Sequence, residues 1–428
     1  MSELWPAPTP TAPVDARVLL PSSKSLTNRL LVLAALGQSP SVIHKPLAAR
    51  DTELMADALS ALGATVVRGA EEWLVTPGPP ATGRIAVDCG LAGTVMRFVP
   101  PVAGLSNASV TFDGDPRARE RPMATTIASL RGLGIEIEGD DSLPFTVRGR
   151  GRVNACELSI DASASSQFVS ALLLVAPRFE HGLTLHHVPG GGTSRSRGTM
   201  PSQAHLDMTV AELRKREVEV DDSIPGTWRV EPGPIVGRDV TVEPDLSNAG
   251  PFIAAALVTG GSVRIGDWPG ETTQAGDAWR VIVGEFGGAS THIDGDLEFT
   301  GPESLSGVDL DLHHVGELAP VVAAVAALAS GPSRLRGIAH LRGHETDRLK
   351  ALATEVNRLG GDVEETDDGL IIRPRPLQGG TFSTYDDHRM AHAAAVLGLA
   401  VPGVMVENVA TTTKTYPGFV ADWEAFLA

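Results

Sequence analysis

The chain has 428 residues, 42% hydrophobic and 20% charged, with a formal charge of −17 and a pI near 5.1. That length predicts two or three domains, each able to bury its own core. The acidic balance argues against nucleic acid or an anionic membrane surface as partner. Cys89 and Cys156 form neither a disulfide framework nor a metal-ligand spacing, and no apolar run reaches the roughly 18 residues that span a bilayer. A cytoplasmic protein is expected.

In chain order, residues 6–13 are proline-rich and read as a short disordered lead. The first unit then offers a strand at 17–20, a helix at 26–36, a strand at 41–44, a helix at 54–62 and a strand at 64–67. The pattern recurs: helices are predicted from Val95 and at 125–133, 168–175, 206–213, 252–258, 278–286, 321–329, 349–359, 390–399 and 419–427. Short alternating strands lie between them, among them 109–112, 183–186, 262–265, 334–338 and 404–406. The openings near Ser25, Thr94, Ser166, Ser247, Glu317 and Asp387 fall roughly 70 to 80 residues apart, which marks an internal repeat of six copies. Glycine-containing stops follow several second helices, at Gly63, Gly134, Gly287 and Gly360.

Six copies divide into two sets of three, with a glycine- and proline-rich break near 232–242. Two α/β lobes joined by a hinge are expected: 1–22 with 241–428, and 23–240. Residues 189–199, with Gly190, Gly191, Gly192, Arg195 and Arg197, read as a mobile surface loop that matches no phosphate-loop pattern.

Cations crowd the starts of these helices: Arg29, Arg97, Arg121, Arg348, Arg389 and Lys414. A helix N-terminus is already partly positive, so a base there is locally unfavourable by about 0.3–1 kcal/mol. Repeated violations of a local rule point to a functional site, and the natural resident is a highly anionic small ligand. Ser25 can cap its helix between Lys24 and Arg29. Gly93 permits close backbone approach, while Ser165, Ser166 and Gln167 supply oxyanion donors without charge. Three further segments, at 113–122, 341–349 and 385–390, set bases beside acids at helix starts. His344 and Glu345 do not form a zincin motif, because Arg348 stands where the second histidine belongs. Asp386, Asp387 and His388 lack further ligands at metal spacing. No metal and no cofactor are expected.

The segments 21–29, 92–97, 165–167, 345–349, 387–390 and 413–415, in this order, closely resemble the signatures of the 5-enolpyruvylshikimate-3-phosphate (EPSP) synthase family. The resemblance runs from about residue 16 to the C-terminus. It implies a two-lobed inside-out α/β barrel with three βαβαββ units per lobe, closing over its substrates. It also implies transfer of the enolpyruvyl group of phosphoenolpyruvate to the 5-hydroxyl of shikimate 3-phosphate, with release of phosphate. By the same resemblance, Lys24, Ser25, Arg29, Ser165, Ser166, Gln167, Ser202, Glu317 and His344 would hold shikimate 3-phosphate. Lys24, Gly93, Arg121, Gln167, Arg348, Arg389 and Lys414 would hold phosphoenolpyruvate. Glu317 and Glu345 would transfer protons, with Lys24 touching both substrates. A monomer sensitive to glyphosate is expected.

Several positions depart from the common family pattern: Ser22 for Gly, Leu91 for Asn, Phe98 for Pro, His205 for Tyr, Glu317 for Asp, His340 for Asn and His344 for Lys. Two alternatives stay open. The sister transferase acting on UDP-N-acetylglucosamine normally carries a reactive cysteine in the loop matching 113–119, where this chain has none. A non-catalytic anion-binding descendant would lose the acids, and both Glu317 and Glu345 are present.

Overall fold

The first helix of each repeat is buried on nearly every side, with polar residues such as Asn28, Arg29 and His392 buried along with the apolar ones. In one set Lys24–Ala35, Gly93–Gly104 and Gln167–Val175 pack against one another. In the other, Gly250–Thr259, Ala319–Ala327 and His388–Gly398 do the same. Every residue of Gly93–Gly104, Ala319–Ala327 and His388–Gly398 is buried. The second helices, such as Arg50–Ala61 and Arg348–Arg358, bury one face only.

This computed structural model describes residues 4–189 and 200–428. The surface loop expected at 189–199 lies, Pro189 apart, outside the described residues. Two compact units emerge, Ser22–Val242 and Met1–Pro21 with Glu243–Ala428, and each has its own hydrophobic core. Among the described residues no helix is long and apolar enough to cross a membrane.

Sheets cover the inner helices, and their common plan is clearest in the second repeat. Thr82–Asp88 runs parallel to Asn107–Asp113, which pairs antiparallel with Phe145–Arg148, itself antiparallel to Glu136–Glu138. The helix Gly93–Gly104 supplies the crossover that parallel pairing requires. Alternation along the middle strand turns Ala108, Val110 and Phe112 into the core.

The first and fourth repeats exchange a strand. Asp15–Val18, which the repeat pattern assigns to the first unit, runs parallel to Ser262–Ile265 of the fourth. Reciprocally, Val240–Thr241 runs parallel to Ser41–His44 of the first. Both strands sit at the right distance in sequence from the helices that follow them, so the repeat period cannot reveal the exchange.

The N-terminal lead is ordered, contrary to the expectation for 6–13. Leu4–Pro6 pairs antiparallel with Val404–Glu407, and Trp5 is 8% exposed with its Nε1 donating to Glu424 Oε1 at 2.8 Å. The Ala7 N–H donates to the Val404 carbonyl, and Thr9 Oγ1 to that of Gly398. In the sixth repeat the chain proceeds from Val404–Glu407 into the turn Val409–Lys414 and the helix Phe419–Leu427. Leu4–Pro6 takes the antiparallel place filled in the other sheets by a strand of the same repeat.

Candidate active site

In the unit Ser22–Val242 the inner helices open on the predicted residues. Ser23, rather than Ser25, caps Lys24–Ala35, its hydroxyl accepting from the Leu26 N–H at 3.4 Å. Ser25 therefore falls within the first turn, where its carbonyl accepts from Arg29 Nη1 at 3.0 Å. Arg29 is 1% exposed and also donates to Thr209 Oγ1, Ser170 Oγ and the His205 carbonyl, with its guanidinium over the Phe98 ring. It ties three helices together as well as facing their N-terminal ends. Lys24 Nζ lies 3.2 Å from the buried Asp51 carboxylate.

At the second inner helix, Gly93 occupies the first position. A Cβ there would stand 2.9 Å from Arg97 Nη1 and 2.9 and 3.1 Å from the two terminal nitrogens of Arg121. Arg97 donates to the Gly93 and Pro122 carbonyls and Arg121 to that of Leu91. Burial, and then the neighbouring Arg121 charge, push the Arg97 guanidinium well below its usual range. Two like charges are thus gathered over one glycine, an arrangement that an anion between them would stabilise. At the third helix Ser165 Oγ accepts from the Gln167 N–H at 3.3 Å, while Ser166 stands at the cap position without a side-chain cap bond. Ser202 precedes Gln203–Arg214 in a left-handed conformation (φ 56°).

The other unit assembles three linked groups. Ser247 Oγ donates to Glu317 Oε1, and the Ser247 carbonyl accepts from Arg389 Nη1 at 2.8 Å. Arg348 grips Asp387 in a fork, at 2.8 and 3.1 Å, and its Nη1 lies 3.3 Å from His344 Nδ1. Asp387 also caps His388–Gly398, accepting from the Arg389 N–H at 2.9 Å. Glu345 receives Lys414 Nζ at 2.7 Å on one oxygen and His388 Nδ1 at 3.0 Å on the other.

Burial would raise the Glu345 pKa, but Lys414, His388 and Arg348 outweigh it and hold the carboxyl well below its usual range. Burial pushes His388 down to about 4, against the pull of Glu345. An ionised Glu345 can only accept, so the hydrogen between the two groups sits on His388 Nδ1, which donates. This carboxylate lies between two proton donors, Lys414 and His388. Glu345, Asp387 and His388 bring candidate ligand atoms within 4.8 Å of one another. Lys414 and Arg348 already neutralise the two carboxylates, and a divalent ion would have to displace them.

Each predicted site residue of this unit lies in one of these groups: Glu317, His344, Glu345, Arg348, Arg389 and Lys414. Sequence reasoning noted Arg97 among the cations at helix starts and Ser247 and Asp387 among the helix openings, but gave Arg97, Ser247, Asp387 and His388 no substrate or proton-transfer role. Ser247 opens the fourth helix as Ser25 and Ser166 open theirs, and that symmetry was the available signal.

A profile of the family described as EPSP synthase (3-phosphoshikimate 1-carboxyvinyltransferase) matches residues 8–423. The chain belongs to the EPSP synthase family. A 3-phosphoshikimate 1-carboxyvinyltransferase from Kocuria rhizophila is 55% identical over 438 residues, covering 98% of this chain and 96% of that protein. A solved structure of EPSP synthase from Acinetobacter baumannii superposes with a TM-score of 0.78 at 22% identity, covering 99% of this chain and 98% of the other. A second structure of the enzyme from that organism gives 0.74 at 22% identity, with 96% of each chain covered. At that identity the structures establish the shared two-domain α/β fold, while the profile and the Kocuria relative establish the family.

Proposed function

We propose that the residues gathered at these helix starts hold and transform the substrates of the family's reaction. That reaction transfers the enolpyruvyl group of phosphoenolpyruvate to the 5-hydroxyl of shikimate 3-phosphate and releases phosphate, a step toward the aromatic amino acids. Arg97 and Arg121 converging on Gly93 is the observation that carries the assignment. Two cations held together need an anion, and phosphoenolpyruvate brings a phosphate and a carboxylate. Arg348, Arg389, Lys414, Lys24 and Gln167 complete its contacts. Ser25, Arg29, Ser165, Ser166, Gln167, Ser202, Lys24, His344 and Glu317 hold shikimate 3-phosphate.

Glu317 and Glu345 share the proton transfers. The attacking hydroxyl gives up a proton as its oxygen bonds to the enol carbon, and the methylene carbon gains one. Phosphate then leaves with its electron pair as the new methyl group loses a proton. The ionised state of Glu345 suits it to accept, with His388 and Lys414 stabilising the charge it carries at rest. We further propose a cytoplasmic monomer whose domains are the segments 1–22 with 241–428, and 23–240. Glyphosate, a phosphonate with a carboxylate, would compete for the same cations.

The test measures phosphate release with both substrates, with each alone, and without added metal. Release only with both is the expected result. Turnover of UDP-N-acetylglucosamine in place of shikimate 3-phosphate, or silence with every acceptor, would overturn it.

A further inference from the structure

Glu355 is fully buried and lies outside the residues assigned to the substrates. It follows Arg348 by two turns on the same face of Arg348–Arg358. Its Oε1 accepts from the Tyr385 hydroxyl at 2.6 Å. Its Oε2 accepts from the Ser383 N–H at 3.0 Å and from Arg358 Nη1 at 2.5 Å. At the start of the same helix, Arg348 makes its fork with Asp387.

Between these two ties runs a segment in an unfavourable conformation. Tyr385 and Asp386 have φ of 55° and 56° in succession, the left-handed region that residues with side chains rarely occupy. Asn408 Nδ2 donates to Asp386 Oδ1 at 2.7 Å and anchors the turn from its other side. The turn ends at Asp387, whose carboxylate orients both Arg348 and the Arg389 N–H.

We propose that Glu355 is a positioning residue: through Tyr385 and Ser383 it sets the left-handed turn that places Asp387, His388 and Arg389 beside Arg348. This inference rests on the assignment of Arg348 and Arg389 to phosphoenolpyruvate. Such a backbone persists only while its surroundings over-determine it. Unfastening Tyr385 lets the turn relax, and the shift in Asp387 then disturbs both arginines at once. Burial, together with the Glu355 bond, pushes the Tyr385 phenol up to about 12, so it remains a donor across the working range of pH.

The experiment compares Tyr385→Phe, Asn408→Ala and Glu355→Gln with Arg348→Lys in the whole enzyme. Loss of either tie to the turn raises the KM for phosphoenolpyruvate about tenfold or more, because small misplacements at a reacting site are costly. Shikimate 3-phosphate binding stays within about twofold, since uniform loosening would move both substrates together. Glu355→Gln acts in the same direction and more strongly. Should that variant fail to fold, Tyr385→Phe and Asn408→Ala carry the test.

If Arg348→Lys leaves the KM for phosphoenolpyruvate unchanged, the substrate assignment falls and the positioning role with it. If Arg348→Lys raises it while Tyr385→Phe and Asn408→Ala do not, the positioning role alone is overturned. Equal loss for both substrates, or lower thermal stability with unchanged kinetics, overturns it as well.

Discussion

Gly93→Ala tests the anion site at its tightest point. The backbone there is not left-handed, so alanine is conformationally allowed, and any helix-propensity gain is at most about 1 kcal/mol. The added methyl meets three guanidinium nitrogens at 2.9, 2.9 and 3.1 Å, against 3.4 Å for ordinary contact. Arg97 and Arg121 must retreat by about half an ångström from the anion they converge on, at the expense of one charge-assisted contact to it. A charge-assisted hydrogen bond is worth about 1.5–3 kcal/mol. Its loss corresponds to roughly a 10- to 150-fold weakening, at 1.36 kcal/mol per factor of ten.

Steady-state kinetics should therefore show the KM for phosphoenolpyruvate, and the inhibition constant for glyphosate, rising by one to two orders of magnitude, about 10- to 150-fold. Shikimate 3-phosphate affinity should stay close to wild type, and thermal stability should change little, because crowding and propensity oppose each other. An unchanged KM and inhibition constant in a folded Gly93→Ala enzyme would refute the steric reasoning.

Lys414→Met removes the strongest charge that lowers the Glu345 pKa, so burial is then opposed only by His388 and Arg348 and the pKa rises. The acid limb of kcat/KM should move up by about 1–3 pH units. The stability due to ionised Glu345, present above its unfolded pKa and lost as pH falls through the folded one, should vanish at higher pH than in the wild type. An unmoved limb would show that Glu345 does not titrate in the rate-limiting step. Arg29→Met abandons the acceptors on Ser25, Ser170, Thr209 and His205. At a cost of about 3 kcal/mol, and with 2–4 °C lost per kcal/mol for a unit of this size, melting should fall by about 6–12 °C. A smaller drop with lost shikimate 3-phosphate binding would assign Arg29 to the ligand alone. Burial, with Asp88 and Asp113 adding to it, pushes the Cys89 thiol up to about 12, whereas Cys156 is exposed. Iodoacetamide at pH 8 should label native protein at Cys156 only, and labelling of Cys89 before unfolding would contradict that burial.

The repeat was legible because inner helices buried on every side leave long Ala-, Val- and Leu-rich runs, as in Ala319–Ala327. Which strand completes which sheet was not, since Asp15–Val18 and Val240–Thr241 have equivalent local patterns. Pro6 and its neighbours suggested disorder, while the burial of Trp5 and its bond to Glu424, 419 residues away, decide the outcome. In the site, charge at helix starts announced Arg29, Arg121, Arg348 and Arg389. Pairings did not show: Ser247 meets Glu317 from 70 residues away, Lys414 meets Glu345 from 69, and Arg348 meets Asp387 from 39. Ser23 and Ser25 are equally plausible caps by residue type, and only the backbone at Ser23 (φ −64°, ψ 118°) selects between them.

The borrowed strands also dictate a timetable for synthesis. Asp15–Val18 and Leu4–Pro6 leave the ribosome long before their partners, Ser262–Ile265 and Val404–Glu407. The unit Ser22–Val242 has its full set of strands once residue 241 has emerged, whereas its companion must wait for nearly the whole chain. Until then the earliest residues present unpaired strand edges, the kind of surface that invites misassembly. Helpers that shield these two strands during synthesis should matter more to the yield of this protein than to that of one whose strands find their partners nearby.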